Sequence, residues 1–151
     1  AIIDMAERAL AEPNGTGLEQ FLMESSAYQA ANRGCLPRLW STDHELVHTA
    51  RSLIKDLLED AKHHGRVRED LTNTDLTVIS WSVRGILETS GDLAPDAWQR
   101  HLELLIAGMR PSTKTLSNRA ISQSRIDRIL THPPSDQDDD RVPDPKEIPD
   151  V

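Results

Sequence analysis

The stretch from Leu71 to Arg110, LTNTDLTVISWSVRGILETSGDLAPDAWQRHLELLIAGMR, constrains the fold of this chain more than any other. It reads as two helices joined by a tight turn, and each is apolar on more than one side. Thr72 is placed to N-cap the first, with Asp75 completing a reciprocal capping pair. Gly91 is a natural stop for it, and Pro95 falls where the first turn of the second helix accepts proline. At about 100° per residue, Leu76, Ile79, Val83, Ile86 and Ser90 share one face of the first helix. Trp81 lies almost opposite, among Val78 and Gly85. On the second helix, Trp98, Leu102, Leu105, Ile106 and Met109 form the main stripe. Ala97, His101, Leu104 and Gly108 form another, roughly 110° around the axis.

A surface helix needs one apolar stripe. The second stripes mix large residues (Trp81, Leu104) with small ones (Gly85, Ala97, Gly108), which suits close contact between helices. Val78, Trp81, Gly85, Ala97, His101, Leu104 and Gly108 are therefore expected to form an intersubunit surface, a two-fold four-helix bundle. Packing on another part of the same chain is the alternative.

Upstream, a helix over about residues 1–11 ends at the turn signal Pro13-Asn14-Gly15. Thr16 with Glu19 reads as a cap for helix two, which Gly34 would end. Its buried face is Leu18, Phe21, Leu22, Ser25 and Tyr28, with Gln29 and Asn32 making the last turn polar. Apolar walls with a few hydroxyls suit a small-molecule pocket; a core helix with satisfied hydroxyls reads the same way. Thr42 with Glu45 caps helix three, whose stripe runs Leu46, Ala50, Leu53, Ile54, Leu57 and Ala61. His44 and His48 have metal-ligand spacing, but they lie away from that stripe and no third ligand accompanies them.

The series REDLTNTDL, WSVRGIL and DLAPDAWQRHLELLIAGMR, with AERALAEPNGTGLEQFL and QAANRGCLPRLW upstream, resembles the ligand-binding domain of tetracycline-repressor (TetR) family transcriptional regulators over residues 1–110. That resemblance implies an all-α effector-sensing and dimerisation domain, an antiparallel bundle of five to six helices over residues 1–111. It also favours the pocket reading of helix two, and the expected effector-binding set is Phe21, Leu22, Ser25, Tyr28, Trp40, Leu53, Ile54, Ser82 and Ile86. The expected ligand is small and largely apolar or aromatic.

Composition bears on partners. Residues 1–110 carry 11 Lys/Arg against 17 Asp/Glu, a poor surface for phosphates. Operator DNA is therefore expected to be met only through an N-terminal helix-turn-helix that this stretch lacks. No apolar run is long enough to span a membrane, and the single Cys35 fits a reducing cytoplasm. No phosphate-binding Gly loop, GxSxG or HExxH occurs, so neither enzyme chemistry nor a cofactor is expected. Residues 112–151 read as an extension, with a weak helical pattern over 115–130 and then a Pro-rich acidic tail containing DQDDD. A helical protein–protein interaction module is the alternative function.

Overall fold

The computed structural model describes residues 1–33 and 44–131, and all regular structure among them is helical. The elements are α1 (Ile2–Leu10), a single 3-10 turn (Pro13–Gly15), α2 (Gly17–Ala31), α3 (His44–His63), α4 (Asn73–Ser90), α5 (Ala97–Gly108) and α6 (Gln123–Thr131). Helix α1 packs on α2 and α3, α4 pairs with α5, and α2 reaches all three of α3, α4 and α5. The core between them is built from Leu18, Phe21 and Leu22 of α2, Leu57 and Leu58 of α3, Leu76, Val83 and Leu87 of α4, and Trp98 and Leu102 of α5.

The strongest local signal is realised in full. Thr72 Oγ1 accepts from the Asp75 backbone N–H, and the Asp75 carboxylate accepts from the Thr72 N–H at 2.9 Å. Gly91 closes α4 by donating its N–H to the carbonyl of Leu87.

The first corner differs from expectation. Thr16 does not cap α2: its backbone is already helical, because the 3-10 turn runs directly into α2, and its hydroxyl donates to the Pro13 carbonyl at 2.8 Å. Glu19 pairs instead with Arg110 at the far end of α5. The corner is unusually close. A Cβ on Gly17 would stand 2.0 Å from the carbonyl oxygen of Ala9, so only glycine lets α2 start against the end of α1. Gly15 has φ +71° and faces His64 at the end of α3, so the same corner is seated on α3 as well.

Other boundaries move. Helix α2 ends at Ala31, where the Asn32 N–H and side-chain amide both reach the Tyr28 carbonyl. The expected stop at Gly34 and the Thr42 cap lie outside the described residues. Leu46, expected on the buried stripe of α3, is 55% exposed, while Leu58 takes a core place. Pro95 precedes α5, which begins at Ala97 after Asp96. The C-terminal helix starts only at Gln123, leaving Leu116 exposed and Ile126 buried.

Candidate functional site

The expected effector-binding residues converge only in part. Phe21, Leu22 and Ser25 of α2 are buried, and Leu53, Ile54 and Ile86 are half-buried and packed on the same core. Tyr28 is half-buried near the end of α2, and Trp40 lies outside the described residues. Ser82 leaves the set. Its hydroxyl donates to the Ile79 carbonyl at 2.7 Å and lies 2.9 Å from the His101 Nε2, which turns it towards α5.

The polar content of this region is larger than the periodicity suggested. Ser25, Ser26 and Gln29 of α2 are all buried, and the Gln29 side-chain amide donates to Ser80 Oγ of α4 at 2.9 Å. Gln29 therefore makes the last turn of α2 polar on the side that faces the bundle. Ser25 donates to the Leu22 carbonyl within its own helix, which leaves its oxygen able to accept. On α4, Ser90 Oγ is buried with no hydrogen-bond partner among the described residues. A polar line inside an otherwise apolar bundle is a costly arrangement unless each group is satisfied.

The second stripes of α4 and α5 face outward. Val78 is 42% exposed and Leu104 61%, Gly85, Ala97 and Gly108 are exposed, and Trp81 and His101 are half-buried. A Cβ placed on Gly85 or Gly108 would meet nothing within 4 Å. Packing among the described residues thus gives no reason for either glycine, although each weakens its helix by about 1 kcal/mol relative to alanine.

Two surface grooves lie elsewhere. One of about 570 Å³ runs between α2 and α5 and is lined by Thr16, Glu19, Gln20, Met23, Arg66, Glu103, Ile106, Ala107 and Arg110. The other, of about 260 Å³, lies where the α3–α4 loop meets the segment after α5, around Val67, Arg68, Asp70 and Pro111. Sequence reasoning missed both, because each is assembled from segments far apart in the chain.

At the second groove the C-terminal extension is held by a clamp. Arg68 donates from Nε to Asp70 at 2.5 Å and from Nη2 to the Lys114 carbonyl at 2.7 Å. Asp70 also accepts from the Leu116 N–H at 3.2 Å. The Arg68 hydrogen bond, helped by the Leu116 amide, holds the Asp70 carboxyl down at about 2, and Asp70 raises Arg68 in turn. Further on, Asp127 of α6 pairs with Arg51 of α3 at 2.8 Å.

No helix among the described residues is long and apolar enough to cross a membrane. No curated protein matches the chain. The model of the family described as "Transcriptional regulator SbtR-like, C-terminal domain" matches residues 13–111, from the corner before α2 to the end of α5. The all-helical bundle, the capped α4 and the paired α5 thus have a family: this chain belongs to the SbtR-like group of TetR-type transcriptional regulators, of which it carries the C-terminal domain.

Proposed function

We propose that residues 1–111 form the effector-sensing and dimerisation domain of a one-component transcriptional repressor in the cytoplasm. One observation carries the reading: the match to the C-terminal domain of transcriptional regulators over residues 13–111. Two features support its finer parts. The outward stripe of Val78, Trp81, Gly85, Ala97, His101, Leu104 and Gly108 suits a two-fold contact between copies, with the same patch used twice. The line of Ser25, Ser26 and Gln29 within an apolar core suits a small, largely apolar effector that needs a few polar groups for orientation. Phe21, Leu22, Ser25, Tyr28, Trp40, Leu53, Ile54 and Ile86 are the residues proposed to hold it.

DNA contact then belongs to a separate helix-turn-helix, and α1 is the element that orients it. The ligand shifts the equilibrium between two tilts of α1 by its difference in affinity for them, and by no more. A change of tilt alters the separation of two reading heads that must match half-sites about 34–36 Å apart.

The test is a thermal-shift screen of small apolar and aromatic compounds, with hits repeated on Ser25→Trp, which puts a bulky ring beside Gln29. A true effector at a hundred times its Kd adds about 2.7 kcal/mol, several degrees in Tm. Loss of that shift in Ser25→Trp supports the location. A hit that shifts the variant as much as the wild type, or no shift by any compound, overturns it. An interaction module without a ligand is the second reading, favoured by the exposed stripe alone.

A further inference from the structure

We propose that the groove between α2 and α5 is a binding site for a small monocarboxylic acid with an apolar body, anchored by Arg66. The backbone of Arg66 is committed: its N–H donates to the Ala61 carbonyl at 2.9 Å and its carbonyl accepts from Arg110. Its side chain is not. The guanidinium makes no hydrogen bond or ion pair among the described residues, and its Nε is buried without a partner. A guanidinium with no partner among the described residues offers its terminal N–H groups to a carboxylate, whose two oxygens match the planar fork.

The neighbouring cation is not a competitor for this role. Arg110 is already neutralised by Glu19 across the groove floor. Beside Arg66, the wall is apolar, from Met23 of α2 and Ile106 and Ala107 of α5. Glu103 on the rim sets the charge of the ligand: a second negative charge next to it is repelled, so a monocarboxylate is favoured over a phosphate dianion. The volume of about 570 Å³ is within the range of small-molecule sites.

The groove is separate from the proposed effector core and from the proposed dimer surface. On α5, Glu103, Ile106 and Ala107 lie roughly 80–180° around the axis from Trp98, whereas Leu104 and Gly108 lie roughly 240–280° around it. Pairing through the outward stripe would therefore leave the groove open.

Phenylacetate is the probe, with its neutral amide and inorganic phosphate as the other arms, titrated into the full 151-residue chain and followed by amide chemical-shift mapping and calorimetry. Saturable shifts at Gln20, Met23, Arg66 and Ala107 are expected, with phenylacetamide and phosphate each about tenfold weaker or more. Arg66→Gln should weaken phenylacetate by a similar factor and Arg66→Lys by less. Ala107→Glu, an exposed position, should do so without touching the anchor, and decides the matter if Arg66→Gln fails to fold. Absence of saturable binding, phosphate binding as tightly as phenylacetate, or unchanged affinity in Ala107→Glu overturns the proposal. So do shifts confined to Phe21, Ser25 and Ile54, which would instead place the acid in the core and support the effector pocket.

Discussion

Leu104→Arg places a charge in the middle of the outward stripe of α5, and its effect on association can be worked out beforehand. Leu104 is 61% exposed in the single chain. Complete burial of a leucine contributes about 1.5–3 kcal/mol, so covering the part still exposed is worth about 1–2 kcal/mol. A two-fold axis uses the residue twice, giving about 2–4 kcal/mol, or roughly a 30- to 700-fold change in the dimer Kd. The introduced guanidinium would have to be desolvated or expelled, so this is the smaller part of the effect. Sedimentation equilibrium across the micromolar range measures it. Leu93→Arg is the control, because Leu93 is fully exposed in the α4–α5 turn and lies off the stripe. The wild type should dimerise, Leu104→Arg should be monomeric and Leu93→Arg should match the wild type. A monomeric wild type, an unaffected Leu104→Arg, or an equal effect from Leu93→Arg would refute the reasoning.

Three further outcomes follow from local geometry. Gly17→Ala drives a methyl group into the Ala9 carbonyl, 2.0 Å away, and should destabilise the fold by about 2 kcal/mol or more in urea unfolding. Thr72→Ala removes one half of the α4 capping box and should cost about 1 kcal/mol in the same measurement, whereas Thr16→Ala, which caps nothing, should cost less. The folded Asp70 carboxyl lies near 2, below its ordinary 3.8, so the clamp's contribution is complete above pH 3.8 and disappears as pH falls through about 2. An NMR titration of Asp70 should show that low midpoint, and Arg68→Gln should move it up; a midpoint unchanged in the variant would remove Arg68 as the cause.

How much could be read from the sequence depended on how far apart the partners are. The Thr72–Asp75 box was legible because both halves sit within one helical turn. The same spacing at Thr16 and Glu19 failed because the Pro13–Gly15 turn had already made Thr16 helical and Arg110, 91 residues away, claimed Glu19. Gln29 was legible as a polar residue in the last turn of α2, but its partner, Ser80, 51 residues downstream, was not. Leu46 kept the period of the α3 stripe, yet it is exposed where the neighbouring residues are the helix's first turn. Ser82 was assigned by face alone, and no periodicity could reveal that His101 is its partner. The α2–α5 groove escaped altogether, since Arg66 reaches it from a turn with no pattern of its own.

The close seating of Gly17 on Ala9 has a mechanical consequence. Ala6 and Ala9 are fully buried at the centre of the inner face of α1, flanked by the partly buried Ile2, Met5 and Leu10, and Gly17 lies hard against its C-terminal end. Such a joint has little compliance: α1 is too tightly keyed to slide along its neighbours and is free only to swing with them. From Ile2 to Ala9 the arm is about 10 Å long at 1.5 Å per residue, so a swing of about 10° carries its free end by only about 2 Å. Any larger stroke at the N-terminal end has to be made by α2 and α3 moving together with α1, as one stiff body.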